Sequence, residues 1–334
     1  MSKMKPPTDG PDGSVHVAWH SGDGGHELTG PEALDAIPDQ LRAARPAVWI
    51  DLGSPSGSQV ERVGTLLGLH PLIVEDVREG NQRPKVEFTD GVVHVVLFQL
   101  EFRDDLEAVE VDFVLGPGYL LSVHDRVWDP RAGHLLRSGA GNILRRGPDH
   151  MLWALCDAIV DAYFPLTDRL GDAMDAVQDE VIRAPRREVL EQVFRLRREL
   201  HDIRRLVSPV REVFNELTNR DIDLIDAEEV VYFRDVYDHL IRLTDELDNY
   251  RELAATTLDV YLSQVNNTLS VIMRRLTGVT VILAGVGAVA GIFGMSEAGT
   301  ALAGLEPNGF WIVTAAAAAA AAVAVYVLHR IDWI

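Results

Sequence analysis

The feature that most constrains this chain is a long apolar stretch near its C-terminus. Residues 276–329 hold no Lys or Arg and only two acids, Glu297 and Glu306. The segments 276–293 and 310–329 each approach the ~20 apolar residues that a helix needs to cross a bilayer core of about 30 Å. The pattern predicts two membrane crossings joined by a short loop. The alternative is a buried helical hairpin of a soluble protein, which the Ala-rich second segment would also suit.

The charges beside these segments predict their orientation. Arg274 and Arg275 precede the first crossing and Arg330 follows the second, whereas the loop 296–309 has no basic residue. Positive residues near a crossing prefer the cytoplasmic side. We therefore expect a multi-pass protein of the cell membrane, inner or plasma, with both termini in the cytoplasm.

Composition excludes some classes of partner. The 334 residues include 31 basic and 51 acidic side chains, a formal net charge of −20, which argues against nucleic acid and for cations or a well-solvated surface. Residues 1–14 are polar and rich in Pro, Gly and Asp, which is typical of a disordered tail rather than a signal peptide. Cys156 is the single cysteine, so an intrachain disulfide is impossible.

Two regions precede the membrane segment. Residues 15–149 predict an α/β cytoplasmic domain with a small mixed sheet, whose strand-like runs are 46–53, taken as the first strand, 92–101, 108–115 and 119–123. Residues 150–227 show helical periodicity and predict a helical hairpin with arms 151–182 and 187–217. In the first arm, acidic residues recur at spacings that place them on one face of a helix. We expect this face to be solvated; the alternative is a reservoir of charge that attracts cations. The acids are Asp157, Asp161, Asp168, Asp172, Asp175 and Asp179.

The stalk, residues 228–275, predicts a single helix that continues into the first crossing, 276–295. It has no internal Pro or Gly, and apolar residues recur in steps of three and four from Phe233 to Leu276, a heptad-like seam. One helix over about 228–294 would be roughly 100 Å long at ~1.5 Å per residue. A helix of that length requires equivalent partners around it.

A neighbouring face of this helix consists mostly of small or mildly polar residues. Two interpretations remain open: small residues allow close packing of helices, or in a ring of helices the same face lines an axial pore. The residues of this face are Met273, Thr277, Thr280, Ala284, Gly287, Gly291 and Gly294.

Several stretches occur in an order and spacing that are specific together, although each would be weak alone. They are His70-Pro71-Leu72 with Glu75-Asp76, the run 83–87, the run 232–239, the run 258–263 with Val265-Asn266, and the run 291–295 followed by a second crossing and Trp333. In these stretches the chain resembles the CorA family of divalent-cation channels, and the resemblance covers nearly its whole length.

The resemblance implies a fold of class α+β/α, with an N-terminal α/β cytoplasmic domain, a long helical stalk and two C-terminal transmembrane helices in a funnel-shaped homopentamer. The first crossing would line the pore, 296–309 would be the extracytoplasmic loop, 310–329 the outer helix, and 330–334 the cytoplasmic C-terminus. The family's outer-mouth signature, Gly-Met-Asn, is here Gly294-Met295-Ser296, the expected selectivity filter.

The departure at Ser296 leaves the transported ion open. Asn offers a carbonyl to hydrated Mg²⁺, whereas Ser offers a hydroxyl on a shorter arm, so the ring would be wider and weaker. Gly285 and Gly287 also stand where the family often has Pro and a hydroxyl residue. Mg²⁺ uptake is the first choice; Co²⁺ or Ni²⁺ uptake, or Zn²⁺ transport as in the ZntB branch, comes next.

Regulation by metal is expected from charge and from the resemblance. The run 223–259 has eleven acids and three Arg, which repel one another in an assembly unless a cation neutralises them. By resemblance, Asp76 and Asp235 match the inter-subunit regulatory Mg²⁺ site, with Glu75 and Asp259 as further candidates. High internal Mg²⁺ would bridge protomers and hold the pore shut.

Other functional signals are weak. A phosphate-binding loop, a Ser-His-Asp arrangement and a nucleophilic Cys context are not found in the sequence, so an enzyme is not expected. His16 and His20 fall in a predicted disordered leader, and His94 and His124 in or beside strands, where packing is the expected role. The other function considered is a non-conducting, membrane-anchored cation sensor.

Overall fold

The structure, a computed structural model, describes residues 13–22, 24–42, 47–102, 106–125, 128–132, 136, 139–294 and 309–330. Seven strands form one sheet in the order β2-β1-β3-β7-β6-β5-β4, in which β3 and β7 are parallel and the other neighbours antiparallel. The strands are β1 (Ser14–Ser21), β2 (Gly24–Thr29), β3 (Val48–Gly53), β4 (Lys85–Thr89), β5 (Val92–Phe102), β6 (Leu106–Gly116) and β7 (Tyr119–His124).

Short helices complete the α/β core. The described elements are α1 (Ile37–Leu41), α2 (Gly57–Leu67), α3 (Pro71–Glu79) and α4 (Ala140–Ile143). Val48, Ile50 and Leu52 of β3 share one buried cluster with apolar residues of α2 and α3. Because side chains alternate along a strand, Trp49 and Asp51 lie on the other face of the sheet. Helix α5 (Pro148–Asp161) packs against β3, β5, β6 and β7.

The N-terminal strands correct the expectation that 46–53 is the first strand. β1 lies between β2 and β3, so His16 and His20 belong to the sheet and the prediction of a disordered leader is wrong for them. His16 is buried, pairs with Glu27 at 3.3 Å and meets the Trp49 ring edge-on. Gly13 and Ser14 are ordered beside β3, and the rest of the predicted tail, 1–12, lies outside the described residues.

The helical region differs from the predicted hairpin in its first arm. This arm consists of α5 and α6 (Tyr163–Arg183), with a break at Ala162, followed by α7 (Arg187–Asn219). Pro165 has no N–H to donate to the carbonyl four residues earlier, so the ladder is interrupted there. The predicted acidic face is wrong at Asp157, which is only 8% exposed, whereas its members on α6 are exposed.

The expected long helix is present as α8 (Val230–Gly294), which has 65 residues. Its start is fixed by Glu229, a buried acid that accepts hydrogen bonds from Arg146 at 2.7 and 3.0 Å and pairs with His150 Nδ1 at 2.7 Å. Further along, the Asp248 carboxylate accepts from the Arg204 guanidinium of α7 at 2.5 and 3.0 Å. These bonds hold the first part of α8 against the helices of its own protomer.

The apolar seam of α8 changes character along its length. Phe233, Val236, Leu240, Leu243 and Leu247 are fully buried within the protomer. The later seam residues Leu269, Ile272 and Leu276 are more than half exposed. The chain divides into two compact units, Met1–Val177 with Glu191–Ala255 and Gln178–Leu190 with Thr256–Ile334, and the exposed part of the seam belongs to the second. The last described helix is α9 (Gly309–Arg330).

Tyr163 offers a test of how α6 supports the sheet. β4 pairs with β5 only as far as Lys85 opposite Val96, and beyond that point the buried Tyr163 hydroxyl donates to the Phe98 carbonyl. Tyr163→Phe leaves this buried acceptor unpaired, so we expect a loss of about 1–3 kcal/mol in the free energy of unfolding. Denaturant unfolding of the detergent-solubilised chain measures it.

The matched control is Tyr237→Phe on α8, where the tyrosine is half-buried and a change within about 0.5 kcal/mol is expected. Equal unfolding free energies for Tyr163→Phe and the parent chain would contradict the proposed role of the hydroxyl.

Candidate cation pathway and metal sites

The C-terminal part of α8 has the properties of a membrane segment. A window of this helix is long and apolar enough to cross a bilayer, and only 6% of that window is buried inside the protomer. Large apolar side chains such as Val281 and Leu283 are over 60% exposed. Helix α9 contains a shorter apolar segment, Thr314–Arg330.

The predicted pore-lining residues occupy one stripe of this helix. Met273, Thr277, Thr280, Ala284, Gly287 and Gly291 are all exposed in the protomer, and a Cβ added at Gly287 or Gly291 would meet nothing within 4 Å. The Thr280 hydroxyl donates to the Leu276 carbonyl at 2.8 Å. Its oxygen lone pairs are still able to accept a hydrogen bond from water.

The predicted filter lies at the end of the described helix. Gly294 is the last residue of α8, and Met295 and Ser296 lie outside the described residues. The filter therefore remains a prediction.

Asp76 lies on α3 beside an internal cation. The Lys85 ammonium, on β4, donates to the Asp76 carboxylate at 2.6 Å and to Glu87 at 2.9 Å. Burial opposes the charge on Lys85, but the hydrogen bonds to Asp76 and Glu87 and the negative charges of these two acids together raise the pKa of the ammonium. Glu75, on the same helix, is exposed. Asp76, Glu87 and His94 have ligand atoms within 4.8 Å of one another.

Asp235 lies on α8 near a different cluster. Its side chain is 68% exposed, and its carboxylate is 4.0 Å from His239 Nε2. The other ring nitrogen of His239 is 3.8 Å from the Asp161 carboxylate, and Asp157, Asp161 and His239 could together hold a metal ion. Within one protomer, Asp76 therefore belongs to one cluster, and Asp235 lies beside the other through His239. Asp259, also on α8, is exposed.

Sequence reasoning missed the partner of His94. This residue is fully buried, as packing predicted, but its Nε2 lies 2.7 Å from the Asp112 carboxylate. Burial raises the pKa of Asp112, and the hydrogen bond to His94 opposes that rise. The signal was a single His and a single Asp inside the apolar runs of β5 and β6, which become neighbours only once the register of the two strands is known.

Comparison with known proteins identifies the family. The sequence profile described as "CorA-like Mg2+ transporter protein" matches residues 46–330. The chain belongs to this family. A relative, the cobalt/magnesium transport protein CorA of Thermotoga maritima, is 35% identical over 263 residues, which cover 77% of this chain and 75% of that protein.

Solved structures share the fold. The complete structure of the CorA magnesium transporter from Methanocaldococcus jannaschii matches with a TM-score of 0.76 and 22% identity over 96% of this chain and 98% of that chain. The ZntB cytoplasmic domain from Vibrio parahaemolyticus matches with a TM-score of 0.59 and 12% identity over 77% of this chain and 100% of that domain. At these identities the likeness concerns the fold alone.

These matches confirm the family and the fold class, an N-terminal soluble α/β domain followed by a long helix. Members of the family are membrane transporters of divalent cations and not enzymes. The chain is therefore a membrane transporter of divalent cations.

Glu110 lies on β6, close enough to Asp76, Lys85 and Asp112 for their charges to affect it. Its titration makes the stability of the α/β domain depend on pH. Burial raises the pKa of Glu110 to about 7 from 4.5; the neighbouring Asp112 carboxylate adds to the rise, and the hydrogen bond from the Gln82 backbone opposes it. The folded state then binds more protons than the unfolded state between these values. Stability is expected to fall as the pH rises from about 4.5 to about 7.

Glu110→Gln removes this titration while its amide oxygen can still accept from Gln82. We expect the variant to have a higher midpoint of thermal unfolding than the parent at about pH 8 and a shrinking difference toward about pH 5. Circular dichroism melts of the full chain across this range measure it, with Glu79→Gln, at an exposed acid on α3, as the control. A difference independent of pH would contradict the assignment.

Proposed function

We propose that the chain is a homopentameric channel that conducts Mg²⁺ into the cytoplasm, driven by the inside-negative membrane potential, which is worth about 2.3 kcal/mol per charge per 100 mV. The observation that carries the proposal is the second half of α8. In this half, the apolar seam residues Leu269, Ile272 and Leu276 are each more than half exposed. The same helix continues without a break into the membrane segment. There, an adjacent stripe consists mostly of small residues and threonines.

Equivalent helices provide the simplest cover for this seam. Exposed apolar residues in steps of three and four pack well against the same residues of a neighbouring copy. A ring of such helices directs the adjacent stripe toward the axis. The family resemblance supports five copies in the ring, with α9 as an outer helix in contact with the lipid bilayer and both termini in the cytoplasm.

The chemistry of the stripe suits a hydrated dication. Mg²⁺ sheds its water reluctantly, so a path for it needs room and hydrogen-bond acceptors rather than a cage of ligands. Thr277 and Thr280 supply hydroxyl oxygens, and Gly287 and Gly291 leave the path wide. Gly294, Met295 and Ser296 form the filter in this proposal. Mg²⁺ is the first choice and Co²⁺ the next, because the Thermotoga maritima relative is named as a cobalt/magnesium transport protein. Ni²⁺ is a further candidate.

Gating in this proposal depends on Mg²⁺ between protomers. Asp76 of one protomer and Asp235 of its neighbour would share the ion, with Glu75 and Asp259 contributing to the acidic surroundings. Asp235 is exposed, and it is not part of the cluster that contains Asp76 within one protomer. Both facts support an inter-subunit arrangement. Loss of internal Mg²⁺ leaves the acids to repel one another and favours the open state.

The transported ion is tested by a competition series of Mg²⁺, Zn²⁺, Co²⁺ and Ni²⁺ flux in proteoliposomes. Mg²⁺ uptake, inhibited by Co²⁺ and insensitive to an imposed pH gradient, is expected. Zn²⁺ uptake that depends on the pH gradient would instead support the ZntB-like alternative. Flux no greater than that of empty vesicles for all four ions would leave the sensor as the function.

A matched pair of glycines tests which face lines the pore. Gly287 belongs to the stripe, whereas Gly285 lies about 160° away around the helix at ~100° per residue, and a Cβ at either would meet nothing within 4 Å of the protomer. Gly287→Leu should lower Mg²⁺ flux at least about tenfold by narrowing the path. Gly285→Leu should retain most of the flux. Equal effects of the two substitutions would refute the assignment of the face.

The regulatory site is tested by limited proteolysis of the cytoplasmic domain over a Mg²⁺ titration. Asp235→Ala removes one carboxylate, so protection should require at least about tenfold more Mg²⁺ than in the parent. Asp238→Ala, at another exposed acid of α8, is the control for loss of charge alone. An unchanged protection curve for Asp235→Ala would exclude this residue from the site.

A further inference from the structure

We propose that each protomer carries, within its α/β domain, a site for a transition-metal dication of the Zn²⁺, Co²⁺ or Ni²⁺ class, with His94, Asp76 and Glu87 as ligands and Lys85 as a tethered competitor. The site is complete within one protomer and is distinguished from the Mg²⁺ sites by its nitrogen donor. It stands independently of the ion that the chain transports.

The orientation of His94 is the first step of the argument. Its Nε2 lies 2.7 Å from the Asp112 carboxylate. Because a carboxylate can only accept, Nε2 is the donor, which leaves the lone pair of the neutral ring on Nδ1. This nitrogen is buried and has no hydrogen-bond partner among the described residues, in a side chain that is 0% exposed. A histidine whose far nitrogen is held by a carboxylate is the usual arrangement of metal-binding histidines, because the carboxylate fixes the ring and increases its basicity.

Two carboxylates complete the donor set. His94 Nδ1 is 4.0 Å from the Glu87 carboxylate, and the ligand atoms of Asp76, Glu87 and His94 all lie within 4.8 Å of one another. One imidazole with two carboxylates suits Zn²⁺, Co²⁺ and Ni²⁺, whereas Mg²⁺ prefers oxygen ligands alone. An unpaired buried nitrogen is costly, and a metal at this point would satisfy it.

Lys85 already places a positive charge between the two carboxylates. Its ammonium is 2.6 Å from Asp76 and 2.9 Å from Glu87, so a metal that bridges these acids must displace it. The lysine can leave because its ammonium is at the end of a flexible four-carbon chain. The two positive charges of the metal and its bond to the imidazole compensate for the lost hydrogen bonds.

The carboxylate side of the site is accessible, and the site needs only a small closure. Asp76 and Glu87 line a surface cavity of about 510 Å³, through which a hydrated ion can arrive. Bonds of about 2.0–2.2 Å to each ligand place tetrahedral donors roughly 3.3 Å apart, so the donors must approach by up to ~1.5 Å. Rotation of Glu87, whose side chain is 48% exposed, can bring its oxygen closer to His94 Nδ1 from the present 4.0 Å. Bound metal would then tie α3 to β4 and β5.

The experiment uses the full-length protein in detergent, in an Asp235→Ala background that serves as the parent, so that the proposed shared Mg²⁺ does not occupy Asp76. Excess Mg²⁺ is present to fill the remaining all-oxygen sites. Co²⁺ is titrated by its visible absorption and Zn²⁺ by calorimetry. We expect one Co²⁺ per protomer with an absorption band typical of mixed nitrogen and oxygen ligands. Glu87→Gln should weaken binding at least about tenfold, because one ligand is lost.

Lys85→Met distinguishes this site from other metal-binding groups of the chain. Removal of the competing ammonium should tighten Co²⁺ binding at least about tenfold, a gain that a merely structural role for Lys85 would not produce. Asp112→Asn, which keeps a hydrogen-bond acceptor for His94 but removes the charge, should weaken binding about 10- to 100-fold. Glu79→Gln, at an exposed acid on α3, should bind as the parent does.

The proposal is overturned if the parent binds no Co²⁺ in excess Mg²⁺, or if Glu87→Gln and Lys85→Met both bind as the parent does. These readouts measure metal binding rather than flux, so a chain that conducts no ion still tests the site. If Asp112→Asn does not fold, the Glu87→Gln and Lys85→Met variants still decide the outcome, because Glu87 is exposed.

Discussion

The structure depends on a helix that satisfies its own backbone hydrogen bonds from Val230 to Gly294. In water, backbone N–H and C=O groups can form hydrogen bonds to the solvent instead of to each other. In a bilayer, the internal hydrogen bonds are required, because no water is present to pair a free N–H or C=O. α8 can therefore belong to both surroundings without a change of backbone. Its side chains alone change, from a buried seam in the first half to exposed apolar residues in the second.

The distribution of glycine along α8 follows from the same constraint. The helix has no glycine before Gly278 and then several in the membrane segment. Glycine costs about 1 kcal/mol in a helix in water, because the unfolded backbone has more conformational entropy at glycine and can form hydrogen bonds to water. In lipid the unfolded backbone is far less favourable, so glycine is tolerated there and can widen a path or allow close packing.

The elements that the sequence predicted are those with a long, regular pattern. The apolar runs of β5, β6 and β7 and the seam of α8 appear where periodicity placed them. β1 was missed because its apolar residues are interrupted by His16 and His20, and the break between α5 and α6 depends on Pro165. Asp76 and Asp235 are predicted as site residues from family resemblance and stay a prediction, whereas Asp112 could be paired with His94 only from the strand register.

The acids of this chain fall into two groups that respond differently to an added cation. Asp76 is bonded to a tethered ammonium, and Asp248 to the guanidinium of Arg204. Any metal that binds such an acid competes with a cation already held at high effective concentration. Asp235 has only His239 as an ion-pair neighbour among the described residues, at 4.0 Å. A metal shared by Asp76 and Asp235 would thus have to displace Lys85 from Asp76 but, in the described part of the chain, would find no bonded cation to displace from Asp235.

In the proposed shared site, this asymmetry would lower the affinity for the metal without removing a ligand. A sensor of an abundant ion requires such weak binding, since a tight site would remain full at every physiological concentration. Lys85 keeps the Asp76 carboxylate paired when no metal is present. At either proposed metal site it would set how much metal is needed to take its place.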